Sequence, residues 1–105
     1  MAVRHFQLAL AAAAQRLSDV YGGVAGANPD AAEDLPYRQI LFSAAGADAF
    51  VGDDADVAST DYGAIVDSTA LTPVVVGPFE TGPVKLSQFW AAGAGSTLHI
   101  LAIPF

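Results

Sequence analysis

Cysteine is absent from the 105 residues, which removes a disulfide framework, a thiolate nucleophile and a zinc knuckle together. Cations are nearly as scarce: 4 Lys+Arg stand against 11 Asp+Glu, a net charge of −7. Four scattered positive charges cannot neutralise a row of phosphates, so nucleic acid is excluded as a partner. Charged residues of both signs reach only 14%, against roughly 25% in an average soluble domain. Apolar residues make up 53%, and that rules out an acidic disordered tail, which needs low hydrophobicity as well as charge. No run approaches the about 20 apolar residues of a membrane-crossing helix. The apolar stretch near the start is broken by Gln7 and by Gln15-Arg16, so no membrane partner is expected. Residues 8–14 have the length of a signal-peptide core, which is the alternative reading of that stretch.

What is present is short apolar runs at regular intervals. The length suits one domain with one core. Phe6, Leu8 and Leu10 alternate with Gln7 and Ala9, the period of a strand with one buried face, and predict a strand over about residues 3–10. The four alanines that follow favour helix, so a short helix or an irregular turn is expected to about residue 21. Residues 22–34, with three glycines and Asn28-Pro29-Asp30, read as a long surface loop. Further strands are predicted over residues 37–43, 49–51, 64–66, 72–76, 84–92 and 97–105, closed by Gly, Pro and Asp turns. This punctuation predicts an all-β fold, a small antiparallel β-sandwich or β-barrel of jelly-roll-like form, with residues 1–105 as a single domain. Gly93-Ala94-Gly95-Ser96 reads as the reversal of a terminal hairpin. The last strand is apolar on both faces, which predicts a central or doubly covered position. The sequence runs to Pro104-Phe105 without a polar tail, so this end is expected to pack into the core or against a neighbour, with pairing stopping near Ile103.

The catalytic inventory is thin. His5 and His99 both fall in predicted strands among apolar neighbours and read as packed or interface histidines. Ser96 and His99 are three residues apart on a strand, hence on opposite faces, which is no nucleophile–base pair. The Gly-x-Ser-x-Gly elbow, the Walker loop and the dinucleotide fingerprint are all missing. Asp48, Asp53, Asp54, Asp56 and Asp61 supply hard oxygen ligands that suit Ca²⁺, but the EF-hand spacing is not there, and a solvated acidic loop, which needs no metal, is the reading preferred. Phe89 and Trp90 place one aromatic on each face of a strand: one for the core, the other for the core or an interface. The expectation is a non-enzymatic protein with no cofactor.

The order of segments carries a resemblance. Ala-Ala-Ala-Gln-Arg-Leu (12–17) is followed by Leu-Pro-Tyr-Arg-Gln-Ile-Leu-Phe (35–42), Ala-Phe-Val-Gly-Asp (49–53), Ser-Thr-Asp-Tyr-Gly (59–63) and Val-Lys-Leu-Ser-Gln-Phe-Trp (84–90), then an apolar final strand. This resembles small all-β virion proteins of tailed bacteriophages, of the capsid cement or decoration type. The resemblance implies a structural role on the outer capsid surface, made in the host cytoplasm. It implies the major capsid protein and further copies of the chain, a trimer first, as partners, and no catalytic residues. Other virion positions (connector, tail or fibre) and a carbohydrate- or cell-surface-binding module stacking on Tyr62 and Trp90 are the alternatives. Phe6, Tyr62, Trp90, Ile103 and Phe105 are the candidate interface residues.

Overall fold

Alternation decides the architecture. In a strand every second side chain faces the same way, and the apolar residues of this chain recur at that interval often enough to bury one face of each strand. A computed structural model describes residues 3–17, 36–69, 72–80 and 82–105, the side chains of Arg4 and Phe6 excepted. Among the described residues there are eight strands: β1 (Arg4–Ala9), β2 (Gln15–Arg16), β3 (Gln39–Ala45), β4 (Ala49–Gly52), β5 (Ala64–Val66), β6 (Val74–Val76), β7 (Trp90–Ala92) and β8 (Thr97–Ile103). They form two four-stranded sheets, ordered β1-β8-β3-β6 and β2-β7-β4-β5, and every pairing is antiparallel.

That order has a simple origin. The pairs β1–β8, β2–β7, β3–β6 and β4–β5 are those of one long ribbon folded back on itself. Rolling the ribbon brings β8 beside β3 and β7 beside β4. The result is the wiring of a jelly roll, two Greek keys in a double sheet, so the expected fold class is the one found.

The two sheets do not contribute equally to the core. The first supplies Leu8, Ile40, Phe42, Leu98, Ile100 and Ala102; the second supplies Ala49, Val51, Val66 and Ala91. Large side chains from one layer thus meet small ones from the other. Leu10, Leu17, Tyr37, Val84 and Leu86 close the ends between them. Tyr37 and Val84 exchange both backbone hydrogen bonds, at 2.8 and 2.9 Å, which ties the approach to β3 to the approach to β7.

Several segments differ from the expectation. The stretch after β1 is not helical at Gln15–Arg16, which pair with β7. Residues 18–21 and the expected loop at 22–34 lie outside the described residues. The run 84–92 is not one strand: a 3-10 turn at Leu86–Gln88 interrupts it, held where the Lys85 N–H donates to Gln88 Oε1 at 2.8 Å. The turn buries Leu86 before β7 begins. The terminal hairpin is also absent, because β7 and β8 belong to different sheets. Their connection crosses the sandwich instead, pinned by Leu10 N–H to the Ser96 carbonyl and Gly93 N–H to the Ala11 carbonyl, both at 2.9 Å. The apolar character of both faces of β8 agrees with its place between β1 and β3. Pairing does stop at Ile103, opposite Gln39. Phe105, however, is 59% exposed and packs into no core of its own chain.

Candidate functional site

The outer face of the first sheet is built by the residues that alternate with its core. One row crosses all four strands: His5 opposite Leu101, Leu101 opposite Leu41, Leu41 opposite Val75. The next row sets Gln7 against His99 and His99 against Ser43. The remaining outward positions of the described strands are Ala9, Thr97, Ile103, Gln39 and Ala45. None of these is Asp, Glu, Lys or Arg, in a chain with 11 acidic residues. Leu101 and Val75 are exposed, and Val3, Phe79 and Phe105, within three residues of the ends of the same sheet's strands, are exposed as well.

The outer face of the second sheet is different. Trp90 sits opposite Arg16 on one side and Gly52 on the other, and the Arg16 guanidinium lies 5.1 Å from the centre of the indole. This cation–π contact covers one face of the ring. Phe50 pairs with Ile65 and meets the Tyr62 ring at 5.2 Å. The β4–β5 connection beside it carries Asp53, Asp54, Asp56 and Asp61. The Asp54 carboxylate accepts the Asp56 N–H at 3.0 Å, and Ala58 and Asp61 exchange backbone hydrogen bonds at 2.8 and 3.1 Å. Among the described residues, no three His, Asp or Glu side chains come together to hold a metal ion.

At the β5–β6 edge the sheets leave a cavity of about 360 Å³, lined by Phe42, Val51, Ala64, Val74, Val76 and Phe89, with Gly52 and Gly63 in its wall and Asp53 and Gln88 beside it. Its cause is the small-residue side of the core. Ala64, opposite Val51, carries only a methyl group into this space.

The candidate interface residues therefore fall into separate groups. Ile103, half-buried, and Phe105, exposed, lie at one end of the first sheet. Tyr62 and Trp90 belong to the second sheet's outer side. Phe6 is in β1 opposite Ile100. Phe89 and Trp90 divide as expected: Phe89 packs edge-on against Phe42 at 5.5 Å, while Trp90 is on the outer face. The first sheet's row through Leu41, Leu101 and Val75 was missed by sequence reasoning. The signal available was that both parities of β8 and β6 are apolar, but which parity faces out depends on the partner strands.

Ser96 is buried and its hydroxyl has no hydrogen-bond partner among the described residues. His99 points from the opposite face of β8, so the two form no catalytic pair. No helix among the described residues is long and apolar enough to cross a membrane. No protein-family model matches the chain, and no curated protein or solved structure matches it either. The likeness to phage cement proteins thus stands on the sequence segments alone.

Proposed function

We propose that this chain is a structural virion protein of the capsid cement or decoration type, attached to the major capsid protein through the outer face of its first sheet. The observation that supports this reading is that face itself: four strands wide, apolar along the row Leu101–Leu41–Val75, and free of Asp, Glu, Lys and Arg. A face without carboxylates, Lys or Arg leaves none of these ions to desolvate on docking, and a jelly roll is a fold that capsid proteins use. Each contact is modest, and repetition by lattice symmetry gives avidity. A trimer around a three-fold position is the arrangement that goes with this reading.

The test is add-back. Particles assembled without the protein should lose their genome on heating, and the purified wild-type chain should restore retention. Leu101→Glu should melt close to wild type yet fail to occupy the shell. Equal heat resistance with and without the protein would sink the reading. Copy number separates the nearest alternative: hundreds per particle means cement, whereas a dozen or fewer means a connector, tail or fibre part. A glycan-stacking role is disfavoured because Arg16 already occupies one face of Trp90.

A further inference from the structure

We propose that the cavity at the β5–β6 edge is a binding pocket for a ring-sized apolar group that carries a positive charge. The inference does not rest on the virion reading, since it uses a different part of the molecule.

The volume sets the size of the occupant. At about 360 Å³ the space falls at the low end of ligand pockets, which run from about 300 to 1,000 Å³. An apolar cavity of about 150 Å³ already takes benzene, so an indole with a short arm fits here. The lining sets the chemistry of the inner part. Phe42 and Phe89 stand edge-to-face, 5.5 Å apart at 69°, and both border the cavity together with Val51, Val74 and Val76. A third ring extends such a cluster in the geometry that aromatic groups prefer. Left open, these walls forgo dispersion contacts on one side.

The border sets the charge. Asp53 is exposed there, and the β4–β5 connection that carries it also holds Asp54, Asp56 and Asp61 with no Lys, Arg or His. A cationic head stays in water beside Asp53 while its ring enters the apolar part, so no charge is buried. An anion at the same place meets like charge. A free amine and an aromatic residue flanked by lysine on a partner chain present the same chemistry.

The experiment uses tryptamine, tryptophol and indole-3-propionate, which share a ring and differ in charge, with binding read by calorimetry and by NMR shifts of Val74 and Val76. The expected order of affinity is amine, then alcohol, then acid. Asp53→Asn should shrink the amine's advantage over the alcohol by about two- to five-fold, the scale of an exposed ion pair. Ala64→Leu and Val74→Phe, two independent ways to fill the space, should each abolish binding of all three without lowering the melting temperature. A Lys-Trp-Lys peptide that competes with tryptamine extends the site to partner side chains; a peptide that fails to compete restricts it to free amines, and either result keeps the pocket. Absence of binding by all three compounds at millimolar concentration overturns the proposal. So does binding that survives both filled variants, or an acid that binds as well as the amine. Loss of shell occupancy without loss of tryptamine binding would refer to the outer face and leave this pocket standing.

Discussion

The two sheets solve the same problem, covering one core, and present opposite outer faces. The first places His5, Gln7, His99, Leu41, Leu101 and Val75 outward, without a carboxylate or a Lys or Arg. The second puts Arg16 over Trp90 and sits beside a connection with four aspartates. For a chain of net charge −7 this separation matters, since like charges repel wherever acidic surfaces meet. Contact through the first sheet avoids that cost. The cores differ in the same sense: bulky residues from the first sheet, alanine and valine from the second, with a cavity where the second runs out of side chain.

Two faces of β8 give the largest test of the contrast. Ile100 is 1% exposed and Leu101 is 38% exposed, though they are neighbours in sequence. Ile100→Ala should cost about 2–5 kcal/mol of stability, and Leu101→Ala about 1 kcal/mol or less, as at an ordinary surface position. Denaturant unfolding with unchanged m-values measures both. Equal losses would mean that Leu101 is core and that the outer face is not a surface. Phe105→Ala should behave like Leu101→Ala, since the ring is mostly in water.

How much of this was legible follows from range. β1, β4 and β5 were readable because alternation and the flanking Gly and Asp residues are local signals, and the jelly-roll class followed from strand spacing. The β7–β8 link was misread because a Gly-rich turn looks the same whether it returns along one sheet or crosses to the other. Which occurs depends on Leu10 and Ala11, more than eighty residues away, bonding to that turn. β2 was obscured because two residues carry no period, and Ala11 to Ala14 favour helix by themselves. The candidate surface stayed hidden for a related reason: in β6 and β8 apolar residues fill both faces, and only register tells Val75 from Val76 or Leu101 from Ile100.

The turns that carry the chain between sheets give the next test. Gly46, between β3 and β4, has φ +86, and a Cβ there would come 2.8 Å from the Gly95 carbonyl oxygen. Gly95, in the β7–β8 turn, has φ +80 with nothing within 4 Å of a Cβ. A left-handed backbone costs a non-glycine residue about 1–2 kcal/mol. Gly95→Ala should lose about that much, while Gly46→Ala loses more because the added methyl strikes backbone. Thermal melts that rank them the other way would break the account of how these two turns meet.

A smaller effect belongs to the second sheet's outer face. Arg16→Ala removes the guanidinium from above Trp90, a contact worth about 0.5–1 kcal/mol at an exposed site. Trp90 is the single tryptophan, so its fluorescence reports the change without interference. Arg16→Lys should retain part of the effect. An emission spectrum identical in wild type and Arg16→Ala would mean that the cation does not rest on the ring in solution.

The smallest effect separates the acidic residues by their hydrogen bonds. Asp67 follows β5, and its carboxylate accepts both the Thr69 N–H and the Thr69 hydroxyl at 2.8 Å. The backbone bond first and the hydroxyl second hold its pKa below the ordinary aspartate value, because both donors favour the charged form. A carboxyl whose folded pKa is lowered adds stability that is fully present above its unfolded value, about 3.9, and disappears as pH falls through the folded value. The contribution is therefore complete at neutral pH and lost only below about pH 4. It is small, since the group is fully exposed. Thr69→Ala removes the hydroxyl and keeps the N–H, so the Asp67 titration should move up part of the way, and the loss of stability on acidification should begin at a higher pH. Carboxyl carbon shifts followed by NMR across this range measure the midpoint directly. A midpoint unchanged by Thr69→Ala would leave the backbone N–H as the whole cause, and a midpoint at or above the ordinary value in the wild-type chain would remove Asp67 from the hydrogen-bonded carboxylates altogether.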